Sequence, residues 1–234
     1  MSAPLAIDLY CGLGGWTDGL LAEGYRVIGF DIERHQYGAH RYPAQLVVQD
    51  VLTLHGSQFR DAALIVASPP CQEYSYMAMP WKLAKAKAAA IRSDTSGQML
   101  ADLNRLFEAC FRIQAQASLA AGRHIPLVVE NVRGAQPWVG RARWNLGSYY
   151  LWGDVPALMP AEKFYKVAGF RFDASGSFQT ASVRRADIGN GARFTSRDCG
   201  IDGAHGGYGD RKAASAMIAR IPPPLSRHIA AVYR

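Results

Sequence analysis

The sequence lacks both a Cys-x-x-Cys pair and any apolar run long enough to span a bilayer. Its four cysteines, Cys11, Cys71, Cys110 and Cys199, lie far apart, which argues against a zinc site and against a disulfide framework. The first residues carry no basic region ahead of an apolar stretch, so a secretory signal is not expected. These absences predict a cytoplasmic protein with no membrane association.

Acidic residues are scarce in most of the chain. Residues 1–70 contain four Arg or Lys and seven Asp or Glu, whereas residues 71–234 contain 22 basic and 12 acidic residues, so charges of −3 and +10 give the net +7. An acidic first third suits a cationic small ligand. The basic remainder suits a polyanion such as nucleic acid, although a basic surface also serves solubility. With 234 residues, 49% of them hydrophobic, the chain fits one globular domain, alone or with a small appendage.

A strand, a glycine-rich turn and a helix are predicted at the start of the chain. Residues 5–10 form the strand, residues 11–15 (Cys-Gly-Leu-Gly-Gly) the turn, and residues 16–23 the helix, with Gly24 just past its end. This order opens Rossmann-type units, in which a cofactor approaches the backbone and the helix N-terminus. Glycine turns of this kind also occur without a ligand, so the turn alone leaves both interpretations open.

Acidic residues follow the next two predicted strands. Residues 25–30 lead to Asp31, and residues 46–49 lead to Asp50. An acid about 20 positions beyond a glycine turn hydrogen-bonds a ribose in dinucleotide-binding folds, although each acid alone is equally suited to cap a helix. The repeated strand–helix pattern predicts an α/β fold with a mostly parallel sheet and its ligands along one edge.

Cys71 follows another predicted strand, at residues 62–67. Pro69 and Pro70 end this strand because proline cannot donate a hydrogen bond to a sheet. Since the carboxyl ends of parallel strands face ligand clefts, Cys71 is predicted to lie in a cleft. By position alone, a cysteine is more often a small buried hydrophobic residue. Cys110 is given that structural role, because it lies in the apolar stripe of a helix predicted over residues 98–121.

The later part of the chain adds a basic segment and a further acidic strand end. Residues 81–92 contain several Lys and Arg and no acid, which suits either a phosphate backbone or a solvated helix face. Residues 126–129 predict a strand that leads to Glu130 and Asn131. Residues 154–205 predict a small loop-rich appendage, and the prolines at 222–224 predict the start of a closing helix.

Together these motifs resemble those of the C5-cytosine-specific DNA methyltransferases. The matching segments are residues 8–15, Asp31, Asp50, residues 70–72 (Pro-Cys-Gln), residues 130–132 (Glu-Asn-Val) and the helix from residue 221, in the family's order. The family's Gln-x-Arg-x-Arg segment is reduced here to Arg141 and Arg143, and its Gly-Asn pair is replaced by Ala219 and Arg220.

The resemblance implies a Rossmann-like, S-adenosylmethionine-dependent methyltransferase fold. Residues 1–153 would form the catalytic domain and residues 154–205 a small target-recognition region. Residues 206–234 would return to the catalytic domain. The implied substrate is double-stranded DNA, bound by a monomer. The implied cofactor is S-adenosyl-L-methionine, which leaves as S-adenosyl-L-homocysteine; no metal is implied.

The resemblance also assigns roles to individual residues. Cys71 would add to C6 of a flipped-out cytosine, Glu130 would serve N3 of the base, Asn131 would brace the loop and Arg143 would assist. The implied cofactor-binding residues are Asp8, Tyr10, Cys11, Gly12, Gly14, Gly15, Asp31, Ile32, Asp50, Val51 and Pro70. The implied DNA-binding residues are Ser75, Lys82, Lys85, Lys87, Arg141, Arg184, Arg185, Arg193 and Arg197.

Three other functions fit parts of the sequence. The same chemistry on RNA is compatible with every motif. A non-catalytic DNA-binding module would need neither Cys71 nor Glu130. A Rossmann oxidoreductase would leave the Pro-Pro-Cys and Glu-Asn-Val motifs without a role.

Overall fold

The structure, a computed structural model, describes residues 2–75, 80–160, 216 and 219–234. The strands are β1 (Leu5–Leu9), β2 (Arg26–Asp31), β3 (Gln36–Tyr37), β4 (His40–Arg41), β5 (Gln45–Val48), β6 (Ala62–Ala67), β7 (Leu127–Asn131), β8 (Trp144–Leu146) and β9 (Tyr149–Gly153). The α-helices are α1 (Gly15–Ala22), α2 (Trp81–Ser93), α3 (Gln98–Ala121), α4 (Gln136–Val139) and α5 (Pro223–Val232). Short 3-10 helices span Val51–Thr53, Gly56–Phe59 and Arg133–Ala135.

The predicted α/β fold with a mostly parallel sheet is confirmed. Seven strands form one sheet in the order β5-β2-β1-β6-β7-β9-β8, and the neighbours from β5 to β7 all pair in parallel. β9 runs antiparallel to both of its neighbours. Because every pair from β5 to β7 is parallel, the carboxyl ends of these five strands share one edge of the sheet, which is where open α/β sheets bind ligands.

Helices cover both faces of the sheet. On one face, Phe107, Cys110 and Ile113 of α3 pack against the strands, and Cys110 is fully buried, as the apolar stripe predicts. On the other face, α1 and α5 pack over the strands through Leu20 and Leu225, which are also fully buried. The burial of apolar side chains on both faces, at about 25 cal/mol per Å², is the main force that stabilises this arrangement.

The closing helix α5 lies directly against α1. A Cβ atom on Gly19 would come within 2.3 Å of the Ser226 Oγ, and one on Gly15 would come within 2.4 Å of the Ile221 backbone nitrogen. The two helices approach this closely because glycine has no side chain at either position. The contact brings residues 219–221 to the sheet edge that carries the glycine turn. No helix in the described ranges is long and apolar enough to cross a membrane.

Two hairpins were not predicted from the sequence. β3 and β4 form a small separate sheet after β2, and β8 and β9 form the antiparallel end of the main sheet. The turn between β8 and β9 consists of Gly147 and Ser148, with Gly147 in the left-handed region at φ 60°. Most of the appendage predicted over residues 154–205 lies outside the described residues.

Candidate active site

A cavity of about 430 Å³ opens at the carboxyl edge of the parallel strands. Each strand from β5 to β7 contributes to its wall, because the residues that line it follow directly on the strand ends. The lining includes Tyr10, Cys11, Gly12, Gly15, Trp16, Asp31, Ile32, His35, Asp50, Val51, Ser68, Pro70, Cys71, Glu130, Tyr149 and Arg220. The acidic strand ends, the glycine turn and the cysteine motif therefore meet in one place.

The glycine turn forms the floor on the β1 side. Gly12 has φ 51°, and a Cβ atom placed on it would meet no protein atom within 4 Å, so the space beside it is open to a ligand. The Gly12 backbone N–H donates to the Asp31 Oδ2 at 2.9 Å. This hydrogen bond joins the turn to the end of β2, so the acid predicted there helps to fix the turn itself.

The carboxylate of Asp31 is held ionised by its neighbours. Burial would raise the pKa of Asp31, but hydrogen bonds from His35, Gly12 and Glu33 together lower it below its ordinary value. The His35 Nε2 lies 3.4 Å from the Asp31 Oδ1. The cavity therefore presents a stable negative charge beside the glycine turn, which suits a hydroxyl or cationic ligand.

Tyr10 has the only left-handed backbone among the non-glycine residues that the structure describes, at φ 57°. Such a conformation is unfavourable for a residue with a Cβ and is found most often at functional sites. The Tyr10 hydroxyl donates to the Leu106 carbonyl oxygen of α3 at 2.9 Å. This bond ties the backbone that enters the glycine turn to the helix on the opposite side of the cavity.

Asp8 lies beneath the glycine turn and does not line the cavity. Its side chain is 1% exposed, and its Oδ2 accepts a hydrogen bond of 2.6 Å from the Thr17 hydroxyl, which is itself 2.7 Å from the Tyr42 hydroxyl. The Asp8 Oδ1 has no hydrogen-bond partner. Burial, with a smaller contribution from the nearby Asp31 charge, raises the pKa of Asp8 to about 7. Its predicted contact with a cofactor stays a prediction, and the structure gives its side chain a supporting position instead.

Residues 68–75 follow β6 and bring Cys71 to the cavity, and we call them the nucleophile loop after the predicted role of Cys71. Cys71 is half-buried and lines the cavity wall, unlike Cys110 in the core. The backbone N–H groups of Tyr74 and Ser75 both donate to the Cys71 carbonyl oxygen at 3.0 Å, which closes a tight turn. At the start of the loop, the Trp16 Nε1 donates to the Ser68 Oγ at 3.0 Å, so the glycine-turn helix and the loop are in direct contact.

Glu130 and Asn131 occupy the end of β7, next to β6. Glu130 lines the same cavity as Cys71. Asn131 is 1% exposed, and its Nδ2 donates to the Pro69 carbonyl oxygen at 2.9 Å while its Oδ1 accepts from the Val132 N–H at 2.8 Å. Neighbouring parallel strands thus bring the Pro-Cys and Glu-Asn motifs together, and the amide of Asn131 joins them.

Tyr149 is a cavity residue that no sequence motif indicated. It begins β9, is 4% exposed, and its hydroxyl donates to the Arg220 carbonyl oxygen at 3.4 Å. Burial, and then the nearby charge of Glu130, raise the pKa of Tyr149. Arg220 forms an ion pair with Asp18 of α1 and also lines the cavity. The signals that could have found Tyr149 are the Gly147-Ser148 turn and the aromatic residues on either side of it.

The predicted DNA-binding residues are spread over several places. Lys82 and Lys85 lie on the exposed face of α2, and the Lys85 ammonium stands 5.0 Å from the centroid of the Trp81 ring. Lys87 forms an ion pair with Glu73 of the nucleophile loop. Ser75, Arg141 and Arg143 do not line the cavity that contains Cys71. The remaining four, Arg184, Arg185, Arg193 and Arg197, lie outside the described residues.

The first half of the chain is similar to a known protein family. Residues 5–109 match the model of the C-5 cytosine-specific DNA methylase family, which is just under half of the chain. The predicted resemblance is confirmed over this range. The match includes the glycine turn, Asp31, Asp50 and Cys71, whereas Glu130 and α5 lie beyond it. A comparison with curated proteins gave no match.

Solved methyltransferase structures show a partial likeness. A DNA modification methyltransferase encoded within an E. coli prophage is 22% identical, with 57% of this chain and 33% of that chain covered and a TM-score of 0.37. For the S. pombe Dnmt2 methyltransferase the values are 16% identity, 59% and 37% coverage and a TM-score of 0.35. The Entamoeba histolytica methyltransferase EhMeth is 13% identical, with 60% of this chain and 41% of that chain covered and a TM-score of 0.35. This chain thus spans 33–41% of the length of these three proteins.

Proposed function

We propose that this protein is a DNA (cytosine-5-)-methyltransferase that uses S-adenosyl-L-methionine. The observation that carries the proposal is the shared cavity, in which the Cys71 thiol and the Glu130 carboxyl group stand beside an anionic glycine-turn pocket. A thiol and an acid at one cleft suit addition to an electron-poor ring, and the pocket suits a cationic cofactor with a ribose. Neither group would be needed by a protein that only binds DNA.

The cofactor pocket would be formed by the first three strand ends. Gly12 leaves open space next to the backbone, and Asp31 offers an ionised carboxylate to the ribose hydroxyls. Ile32, with 70% of its surface exposed, offers an apolar face to the adenine, and Asp50 lies beside it on the cavity wall. S-adenosyl-L-methionine, when bound there, supplies the methyl group.

Cys71 and Glu130 would act on the two sides of the target pyrimidine. The Cys71 thiolate forms a bond to C6 of cytosine, and the electron pair of the C5–C6 double bond moves toward C5 as Glu130 hydrogen-bonds or protonates N3. C5 is then nucleophilic enough to accept the methyl group. Loss of the C5 proton, with water as the proposed acceptor, restores the double bond and expels the Cys71 thiolate.

The target base must leave the stacked duplex before Cys71 can reach it, which costs a few kcal/mol. The exposed ammonium groups of Lys82 and Lys85 on α2, next to the nucleophile loop, suit phosphate contacts that would offset this cost. We assign target recognition to residues 154–205, and propose that a region this short reads a short or lax sequence. Arg143 does not line the cavity that contains Cys71, so we assign it no contact with the target base. The cytoplasm is the proposed location.

The decisive experiment is incubation of unmethylated plasmid DNA with the full chain and methyl-labelled S-adenosylmethionine, followed by bisulfite mapping. We expect label in the DNA and protected cytosines within a short common sequence. Plasmid whose cytosines are already C5-methylated is the control and should take up no label. Label on adenine, or label transferred to tRNA in preference to duplex DNA in a competition assay, would overturn the proposal.

A further inference from the structure

Tyr74 fixes the far end of the nucleophile loop. It lies three residues after Cys71, yet its side chain is only 3% exposed because it inserts between the loop and α3. Its hydroxyl donates toward the Asn104 Oδ1 at 3.0 Å and the Leu103 carbonyl oxygen at 3.1 Å. Since one hydroxyl has one proton, these two acceptors on α3 share it.

Asn104 is the partner that carries this contact onward. It lies in the interior of α3 and is 4% exposed, an unfavourable position for an asparagine in terms of both helix propensity and burial. Its Nδ2 donates to the Trp138 carbonyl oxygen at 2.9 Å. Because a carbonyl only accepts hydrogen bonds, the amide nitrogen must face Trp138, and the amide oxygen must therefore face Tyr74. Both ends of the amide are used, and its orientation is determined.

Trp138 belongs to α4, which follows the Glu130 segment in the chain. The path from Tyr74 through Asn104 to Trp138 thus joins the end of the nucleophile loop to the chain that continues from Glu130. The start of the loop is joined to the same segment by the Asn131 Nδ2, which donates to the Pro69 carbonyl oxygen at 2.9 Å. Cys71 lies between these two attachments, two residues after one and three residues before the other.

We propose that Asn104 is a positioning residue that holds Cys71 in register with Glu130 across the cavity. This inference rests on the proposed methyl transfer for its consequence in catalysis, but the contact itself does not. A loop attached on one side only can swing about that point, whereas two attachments to one segment fix its distance from Glu130. A displacement of about 1 Å between reacting groups costs on the order of a hundredfold in rate.

Two variants and a matched control test the proposal. Tyr74→Phe removes the hydroxyl and keeps the ring, and Asn104→Ala removes the amide. The control is Tyr25→Phe, which removes a hydrogen bond of 3.1 Å from a tyrosine of similar burial, 4% exposed, to the Ala230 carbonyl oxygen in the core on the other face of the sheet. All three changes remove comparable contacts, but only the first two affect the nucleophile loop.

The first measurement is amide hydrogen exchange in the loop, which needs no enzymatic activity. The Tyr74 and Ser75 amides, both bonded to the Cys71 carbonyl, should exchange roughly three- to tenfold faster in Tyr74→Phe and Asn104→Ala and unchanged in Tyr25→Phe. The double variant should exchange no faster than Tyr74→Phe, because loss of the hydroxyl already removes its bonds to both Asn104 and Leu103. Wild-type exchange rates in the folded Tyr74→Phe variant would overturn the proposal.

The second measurement separates turnover from binding. We expect the kcat for methyl transfer to fall about tenfold in Tyr74→Phe, with the affinity for S-adenosylhomocysteine unchanged. A purely structural role would instead lower the melting temperature as much as Tyr25→Phe does and leave kcat unchanged. If the wild-type protein transfers no methyl group to DNA, the proposed function fails, and hydrogen exchange still decides whether Asn104 holds the loop.

Discussion

The cavity has a glycine-turn wall, formed by the ends of β1, β2 and β5, and a nucleophile wall, formed by the ends of β6 and β7. The hydrogen bonds that order these two walls differ in how far apart their partners lie in the sequence. On the glycine-turn wall, three of the hydrogen bonds that order the site join residues only 9, 19 and 25 positions apart, from Asp8 to Thr17, Gly12 to Asp31 and Thr17 to Tyr42. A fourth, from Tyr10 to Leu106, spans 96 positions. On the nucleophile wall the hydrogen bonds join residues 30, 52 and 62 positions apart, with partners on α3, α1 and β7.

In the proposed mechanism, this difference would separate ligand binding from chemistry. The glycine-turn wall is built mostly from the first 51 residues, and its distant supports are the bond from Tyr10 to α3 and the packing of α5 against α1. The nucleophile wall takes its position from three separate elements, so damage at a distant helix should reach Cys71 before it reaches the cofactor pocket. Changes at Cys71 and Asp31 test that separation, and a change at Asp8 tests the support beneath the glycine turn.

The largest effect is expected at Cys71. Cys71→Ala removes the proposed nucleophile without disturbing the glycine turn, so methyl transfer should fall by at least about a thousandfold. Affinity for S-adenosylhomocysteine and for duplex DNA, measured by calorimetry and fluorescence anisotropy, should stay close to the wild-type values. Residual turnover at the wild-type rate would remove Cys71 from the mechanism, and a parallel loss of cofactor affinity would show that the two walls are not separable.

A smaller effect is expected at Asp31, and there it is cofactor affinity that should fall while the reactivity of Cys71 is kept. Asp31→Ala removes the acceptor that holds the Gly12 N–H and the carboxylate offered to the ribose, and a hydrogen bond to a charged group is worth enough that affinity for S-adenosylhomocysteine should fall roughly ten- to hundredfold. Asp61→Ala is the control, because 83% of the Asp61 side chain is exposed. Within the described part of the chain, its ion pair is with the neighbouring Arg60.

The alkylation rate of Cys71, followed by mass spectrometry of its peptide, should be unchanged in Asp31→Ala. A Cys71 rate that changes with Asp31, or an unchanged cofactor affinity, would contradict the proposed division between the walls.

The smallest effect is expected at Asp8 and concerns stability. The pKa of Asp8 is raised from 3.8 to about 7 by burial, so the folded state keeps a proton that the unfolded chain releases. The protonated Asp8 therefore contributes its full stabilisation to the free energy of unfolding below pH 4, and this contribution is lost as the pH rises through about 7. Between pH 5 and 7 the wild-type protein should lose roughly 2–3 kcal/mol from this group.

Asp8→Asn removes the titrating carboxyl group and keeps the shape of the side chain. Urea unfolding at pH 5 and pH 8 should therefore show the variant gaining stability relative to wild type as the pH rises. Every other titrating group is common to the two proteins and cancels in the comparison. Parallel pH profiles for the two proteins would show that Asp8 does not carry its proton into the folded state.

Elements with a clear local pattern were predictable from the sequence. The strand at residues 62–67 and the helix at residues 98–121 have the predicted bounds, because an apolar run ended by prolines and a helical stripe flanked by glycines are each complete within a short window. The meeting of Cys71 with the acidic strand ends was also predictable, since parallel strands bring their carboxyl ends to one edge.

Contacts between distant residues were not predictable in the same way. Asp8 lies next to the glycine turn in sequence, but strand alternation directs its side chain toward Thr17 and Tyr42, and nothing local indicates Tyr42 as a partner. Lys87 was predicted to contact DNA, whereas its ion pair with Glu73 depends on how α2 packs beside the nucleophile loop. Tyr149 belongs to no motif, and its place beside Glu130 follows from the pairing of β9 with β7.

The closing helix α5 also secures the chain that leaves the sheet after β9. The Tyr233 hydroxyl donates to the Asp154 carbonyl oxygen, and the His228 Nε2 lies 2.8 Å from the Leu158 carbonyl oxygen. The exit point near residue 154 and the re-entry at residue 221 are therefore clamped by one helix. A different sequence between residues 158 and 219 would join the same two fixed ends, so evolution or an engineer could exchange it while the reacting groups keep their alignment.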